Sequence, residues 1–122
     1  MARTILIVDD SASIRQVVGL TLKGAGYDVV DAVDGRDALS KLDGRKLHLV
    51  ISDVNMPNMD GISFVREMKV RPAYKFTPVI MLTTEAGEAK KRDGQMAGAK
   101  AWVIKPFQPA RMLDAVSKLI MP

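Results

Sequence analysis

The chain has 122 residues, 48% of them apolar and 26% charged, which is typical of one ordinary globular domain. It has no cysteine, so disulfides and thiolate metal sites are excluded, and a reducing, cytoplasmic location is expected. The amino-terminal segment lacks the apolar region and cleavage site of a signal peptide, and no apolar run is long enough to span a membrane. The net charge of +4 is scattered and aromatic residues are few, so no nucleic acid partner is expected.

Strand and helix patterns alternate along the chain. Continuous apolar runs predict strands buried on both faces, and apolar residues spaced three or four apart predict helices. The predicted strands cover residues 4–8, 28–32, 48–52, 78–82 and 101–104, and helical patterns follow over 14–25, 35–42, 62–70, 85–97 and 109–121. The pattern over 85–97 is the weakest, because Gly87 and Gly94 lower its helix propensity.

This alternation predicts an α/β fold in which helices cover both faces of a parallel sheet. Neither a linker, an internal repeat nor a low-complexity segment interrupts it. We therefore expect one domain over residues 1–122, with no space for a second domain.

Polar residues follow most of the predicted strands. Ligands of open α/β sheets bind outside the carboxyl ends of the strands, so these side chains are expected to converge at one edge. Asp34, after the second strand, is assigned no role there. The converging residues are Asp9 and Asp10 after the first strand, Asp53 after the third, Thr83 after the fourth and Lys105 after the fifth.

The chemistry of this set indicates phosphoryl transfer. Clustered carboxylates remain ionised together only when a cation joins them, and oxygen ligands without His or Cys suit Mg²⁺. An aspartate can act as a nucleophile toward phosphorus. A lysine ammonium and a threonine hydroxyl can then neutralise and hydrogen-bond the transferred group.

Each of these residues also has a purely structural interpretation. Asp9 and Asp10 could cap the first helix, a task that Ser11 could also perform. Asp53 could be a turn residue, Lys105 a surface lysine, and Thr83 the cap of the helix after it. The combination of complementary groups at one edge favours a functional site.

Four motifs resemble the receiver domain of two-component response regulators, and most closely its stand-alone, CheY-like chemotaxis type. They are VDD (8–10), SDVNMPNMDG (52–61), LTT (82–84) and KPF (105–107). The resemblance extends over essentially the whole chain. It implies a flavodoxin-like fold, (βα)5, with strand order 2-1-3-4-5, and a receiver domain without an output domain.

The resemblance also assigns roles to the residues at the edge. It implies that Asp53 is the phosphoacceptor and that Asp10 directly, and Asp9 partly through water, hold Mg²⁺ together with Asp53. The backbone carbonyl of Asn55 would complete the protein's share of this metal site. Thr83 would hydrogen-bond the phosphoryl group and Lys105 would pair with it.

Further positions in the family pattern concern switching and phosphate lifetime. Trp102 occupies the switch position, where Tyr or Phe is usual, and would move inward when Thr83 shifts. Thr84 stands where a smaller residue is common in the family and would narrow access to the acyl phosphate. Asn55 and Glu85 would tune dephosphorylation, and the Lys105–Pro106 bond would be cis.

The predicted function is that of a phosphorylation switch rather than an enzyme. A chemotaxis-type histidine kinase would be the phosphodonor, with the receiver assisting its own phosphorylation and dephosphorylation. The face over 85–121, formed by the predicted fourth helix, fifth strand and fifth helix, would bind a downstream protein such as the flagellar motor switch. A phosphatase is a further candidate partner, and the protein is expected to be a monomer.

Other functions are compatible with parts of this pattern. A nucleotide hydrolase would need a GxxxxGK[ST] loop, and the sequence has none. A phosphate sink would keep the same chemistry without a downstream target. A phosphorylation-independent binding module is the remaining alternative, and the full set of acids with Thr83 and Lys105 argues against it.

Overall fold

The computed structural model describes residues 3–83, 92–93, 95, 97–105 and 108–120. The strands are β1 (Thr4–Val8), β2 (Asp28–Ala32), β3 (Leu49–Ser52), β4 (Val79–Thr83) and β5 (Ala101–Ile104). The helices are α1 (Ala12–Gly24), α2 (Gly35–Ser40), α3 (Gly61–Lys69), a short 3-10 helix (Pro72–Tyr74) and the C-terminal helix (Pro109–Leu119).

The strands form one parallel sheet, as their alternation with helices predicted, in the order β2-β1-β3-β4-β5 that the resemblance implied. The register aligns the carboxyl ends of the central strands: Val8 lies opposite both Ala32 and Ser52. The residues that follow β1 and β3 therefore leave the sheet side by side. This alignment creates the edge at which the predicted site lies.

The core has two halves, one on each face of the sheet. One half contains Val18 and Leu22 of α1 with Met112 and Val116 of the C-terminal helix. The other contains residues of α2 and α3, among them Phe64, which is fully buried. Burying apolar helix surface against both faces of an apolar sheet accounts for the continuous runs seen in the strands.

Polar residues fix the starts of the helices. Ser11 accepts a hydrogen bond from the Ile14 amide, so the serine caps α1, and Asp34 and Asp60 cap α2 and α3. Each cap satisfies an amide that a helix start leaves without an intrahelical partner. The caps lie at the same edge of the sheet as the site, so they also fix the loops around it.

Several predicted boundaries differ from those in the structure. The 35–42 helix ends at Ser40, because the next amides bond three residues back and the chain tightens, although Leu42 stays buried. β3 begins at Leu49, since the ring of His48 accepts a hydrogen bond from the Thr4 amide. Both changes leave the core as predicted.

The fourth strand is displaced by one residue from its prediction. It runs through Thr83, which pairs with Ile104, so Thr83 is the last residue of β4 rather than the residue after it. The 3-10 helix after α3 was not predicted. Most of the predicted 85–97 helix lies outside the described residues. Within the described part of the chain, every helix is too short or too polar to cross a bilayer.

Candidate functional site

Asp9, the residue after β1, is buried, and both its backbone and its carboxylate make hydrogen bonds. Its side chain is almost inaccessible, its backbone amide donates to the Ala32 carbonyl at 3.1 Å, and Oδ1 accepts from the Ser11 amide at 2.9 Å. The guanidinium of Arg15 holds the Asp9 carbonyl oxygen through Nη1. The carboxylate is therefore fixed from the strand, from the helix start and from α1.

Asp53 leaves β3 beside Asp9. Its amide donates to the Val8 carbonyl at 2.8 Å, which continues the β1–β3 ladder by one residue beyond the strands. Oδ1 of Asp53 accepts from the Val54 amide at 2.8 Å, and the side chain is 9% exposed. The adjacent strand thus sets the spacing between the two acids.

Gly61 closes the floor beneath Asp53. A Cβ atom at this position would overlap the Asp53 carbonyl oxygen, and the Gly61 amide donates to the Val54 carbonyl at 2.8 Å. Only a residue without a side chain allows α3 to begin so close to the acid. The glycine in the MDG motif is therefore a packing requirement of the site.

Lys105, the residue after β5, forms ion pairs with both Asp9 and Asp53. Its Nζ lies 2.8 Å from Oδ2 of Asp9 and 3.2 Å from Oδ2 of Asp53, and its side chain is 13% exposed. Burial lowers the Lys105 pKa, but the hydrogen bond to Asp9 and the charges of both acids outweigh that effect and raise it overall. The lysine is a protonated, preoriented cation at neutral pH.

The carboxylate of Asp53 is buried beside a second acid, Asp9. Burial raises its pKa and the charge of Asp9 raises it further, while Lys105 and the Val54 amide oppose both effects without cancelling them. Two carboxylates this close repel each other in a partly desolvated site. The site therefore favours a second cation.

The donor set fits a divalent metal ion. Oxygen atoms of Asp9, Asp10 and Asp53 all lie within 4.8 Å of one another, the only such group of acids, histidines or cysteines among the residues that the structure describes. Asp10 is exposed, whereas the other two acids are buried. Hard oxygen ligands with one side open to water suit Mg²⁺, which keeps several of its waters.

The other predicted site residues are described only in part. The backbone of Thr83 ends β4 beside Ile104, but its side chain, Thr84, Glu85 and the Lys105–Pro106 bond lie outside what is described. Asn55 is exposed in the loop after Asp53. Trp102 is half-buried in β5 and packs against the core half that contains α3.

Two contacts at this edge were missed by sequence reasoning. Arg15 lies within a predicted helix and looks like an ordinary surface residue, but its guanidinium bridges the Asp9 carbonyl and the Asp31 carboxylate. Asp34, which was assigned no role, accepts a hydrogen bond from Asn58 of the loop after Asp53. The signal available for Asp34 was its position two residues after the end of β2, the strand that pairs with β1.

Residues 5–117 match the response regulator receiver domain family, so the chain belongs to that family. Among its relatives, Protein PilG of Pseudomonas aeruginosa is 36% identical over 112 residues, which cover 92% of this chain and 83% of PilG. Chemotaxis protein CheY1 of Helicobacter pylori is 38% identical over 107 residues, 86% of each chain.

Solved structures agree with this assignment. The chemotaxis protein CheY4 of Vibrio cholerae superposes with a TM-score of 0.93 at 46% identity, covering 98% of this chain and 99% of CheY4. The receiver domain of the sensor histidine kinase PA1611 of P. aeruginosa has a TM-score of 0.91 at 26% identity over 98% of both chains, and a magnesium ion is coordinated in its active site cleft. The predicted flavodoxin-like fold and the predicted phosphoacceptor function in two-component signalling are confirmed.

Proposed function

We propose that Asp53 is the residue that accepts the phosphoryl group, in a reaction that needs Mg²⁺ held by Asp9, Asp10 and Asp53. The observation that supports this most directly is the convergence of the three acids on one point, with the Lys105 ammonium 3.2 Å from Asp53. The backbone carbonyl of Asn55 would add a fourth protein ligand. When bound, the metal ion would neutralise carboxylate and phosphoryl charge.

The reaction would proceed by attack of an Asp53 carboxylate oxygen on phosphorus. One P–O bond forms to Asp53 while the P–N bond of the donor phosphohistidine breaks, and the imidazole leaves with the bonding electron pair. Asp53 must be ionised to attack, and Lys105 favours that form by opposing the effects that raise the Asp53 pKa. Lys105 then pairs with the phosphoryl oxygens, and the Thr83 hydroxyl donates to them.

The phosphorylated form would differ from the resting form on the surface over 85–121. Movement of Thr83 toward the phosphoryl group would draw Trp102 inward. A new charge that interacts differently with two conformations shifts the balance between them. Trp102 is half-buried in β5, so a change in its packing would alter the shape of the surface over 85–121.

The pathway we propose is a chemotaxis-type one, with a histidine kinase as donor. The named relatives that act in chemotaxis support this choice. The downstream target would be a protein such as the flagellar motor switch, and a phosphatase would act with Asn55 and Glu85 in removing the phosphate. We further propose that residues 1–122 act as one monomeric cytoplasmic receiver domain that assists its own phosphorylation and dephosphorylation.

The deciding experiment is intact mass after incubation with Mg²⁺ and a small phosphodonor such as acetyl phosphate. Wild type should gain one phosphoryl group, and Asp53→Asn should gain none. Asp60→Asn is the matched control, because it makes the same change at an acid that caps α3, and it should be phosphorylated like wild type. Removing Mg²⁺ with a chelator should abolish the gain in mass.

The alternatives predict different results. A phosphorylation-independent binding module would gain no phosphoryl group, either from the small donor or from a histidine kinase. A phosphate sink would be phosphorylated but would bind a candidate target equally well with and without phosphate. Comparing target binding before and after phosphorylation separates the sink from the switch.

A further inference from the structure

The loop between β3 and α3 is tied to the start of α2. Nδ2 of Asn58 donates to Oδ2 of Asp34 at 2.7 Å, and the Gly35 amide donates to the Met59 carbonyl at 3.2 Å. This loop leaves Asp53 and carries Asn55. Its far side is therefore fastened to a neighbouring loop by one side-chain and one backbone hydrogen bond.

Asp34 does more than cap a helix. Its Oδ1 accepts from the Asp37 amide at 2.8 Å, which completes the cap of α2. A cap needs one oxygen, and Ser or Thr supplies that as well as Asp does. The second oxygen of this residue, which is 7% exposed, is the one that binds Asn58. A hydrogen bond to a carboxylate is among the stronger kinds in proteins.

Asn58 has an unusual backbone. Its φ is 68°, and no other non-glycine residue in the described part of the chain has a positive φ. Glycine adopts this left-handed conformation with less strain than asparagine. An asparagine here therefore supplies something that glycine cannot, and the side-chain hydrogen bond to Asp34 is that contribution.

Gly35 shows how closely the two loops approach. A Cβ atom at this position would lie 2.6 Å from Cγ and 2.7 Å from the carbonyl oxygen of Met59. The loop after Asp53 thus rests directly on the first residue of α2. Three features hold the two loops together here. They are the close packing that Gly35 allows, one backbone hydrogen bond and one side-chain hydrogen bond.

We propose that Asp34 and Asn58 are positioning residues for phosphoryl transfer, holding the loop that carries Asn55 in place beside the acids. The proposal rests on the proposed function, because it concerns the same site. Neither residue touches the reacting atoms. Their effect is to fix beforehand a segment that would otherwise be ordered only when the metal ion and the phosphoryl group bind.

The test uses two variants that remove the hydrogen bond in different ways. Asn58→Gly keeps the left-handed backbone and deletes the donor, and Asp34→Ser keeps the α2 cap and deletes the acceptor. Each should weaken Mg²⁺ binding, measured by calorimetry, about tenfold. Each should also slow phosphorylation and speed amide hydrogen exchange over 54–61. The double variant should be no worse than either single variant.

Asp43→Ser is the control, since Asp43 pairs only with Arg45 on the exposed surface among the described residues. It should leave all three measurements at wild-type values. Wild-type Mg²⁺ affinity and loop exchange in both Asn58→Gly and Asp34→Ser would overturn the inference while leaving the proposed function intact. A wild-type protein that binds no Mg²⁺ and accepts no phosphoryl group would instead overturn the proposed function, and the inference with it.

Discussion

The ammonium of Lys105 lies 3.2 Å from Oδ2 of Asp53, across 52 positions of sequence. Lys105 opposes the burial and the Asp9 charge that together raise the Asp53 pKa. Replacing it with a neutral chain of similar length, Lys105→Met, should therefore raise that pKa further. The measurement is an NMR titration of the Asp53 carboxyl carbon without Mg²⁺.

The same substitution should also change the stability profile. An acid whose pKa is raised by folding stabilises the folded state below its unfolded pKa, and that contribution is lost as pH rises through the folded pKa. Lys105→Met should thus cost about 2 kcal/mol at neutral pH and less near pH 4. Lys118→Met, which breaks an exposed pair with Asp114, is the control and should change little. An unshifted Asp53 pKa in Lys105→Met would show that the two charges are not coupled.

Gly61→Ala should distort the site from below. The new methyl group would overlap the Asp53 carbonyl, so the start of α3 must move, at a cost of about 1–3 kcal/mol in the free energy of unfolding. Phosphorylation should slow, because Asp53 shifts with its own carbonyl. Urea unfolding and the rate of phosphorylation by a small donor provide the two measurements.

Gly24→Ala makes the same change where space is available. Nothing lies within 4 Å of a Cβ at Gly24, the last residue of α1. An alanine in a helix is favoured over glycine by about 0.5–1 kcal/mol, so this variant should be as stable as wild type or slightly more stable. Equal behaviour of the two variants would contradict the close packing assigned to Gly61.

The hydrogen bond between Asp34 and Asn58 should affect the pKa of Asp34 and the stability of the protein at low pH. The Asp37 amide and the Asn58 side chain hold the pKa of Asp34 below its usual range. An acid with a depressed pKa stabilises the folded state above its unfolded pKa, and this contribution disappears as pH falls through the folded value. Asn58→Gly should bring the Asp34 pKa closer to its ordinary value, as measured by NMR titration of its carboxyl carbon.

The corresponding stability difference should depend on pH. Asn58→Gly removes a hydrogen bond to a carboxylate, worth about 1 kcal/mol near pH 6 after the relief of backbone strain. The difference from wild type should shrink in acid, once Asp34 is protonated in both proteins. A gap of constant size from pH 6 into acid would mean that the strain and not the hydrogen bond sets the effect.

Tyr74 should matter for stability and not for chemistry. Its hydroxyl donates to the Arg45 carbonyl at 2.7 Å and accepts from the Gly44 amide at 3.0 Å, and the residue is 3% exposed. Tyr74→Phe leaves both backbone groups without this partner and should cost about 1–2 kcal/mol in thermal or urea unfolding. The rate of phosphorylation should be unchanged.

Tyr27 provides the comparison. It is partly buried against the other half of the core, and its hydroxyl makes no hydrogen bond with the residues that the structure describes. Tyr27→Phe should therefore alter stability by less than about 0.5 kcal/mol. A cost equal to that of Tyr74→Phe would point to loss of general packing instead of the two hydrogen bonds.

The architecture could be predicted from the sequence because each strand and helix has its own local pattern of apolar residues, and these patterns alternate along the chain. Buried parallel strands need largely apolar segments, and the five predicted strands appear within one residue of their predicted limits. Asp9, Asp53 and Lys105 were readable for a related reason. Each directly follows a strand, so the sheet alone brings them to one edge.

Features that depend on two distant loops were not readable. Whether Asp34 bonds Asn58 depends on how α2 packs beside α3, and no pattern within either loop encodes that distance. The shift of β4 by one residue has a similar origin, because Thr83 joins the strand only through its pairing with Ile104. Local patterns predict elements and their ends, whereas contacts between loops follow from the packed fold.

The contact between Lys105 and Asp9 spans 96 positions of the chain. During protein synthesis Asp9 and Asp53 are made before Lys105. A nascent chain that ends after β4 therefore contains both acids but lacks the lysine that pairs with them. Such an intermediate lacks the charge balance of the finished site. If Lys105 acts as proposed, phosphorylation of Asp53 is expected only after residue 105 has emerged and β5 has docked.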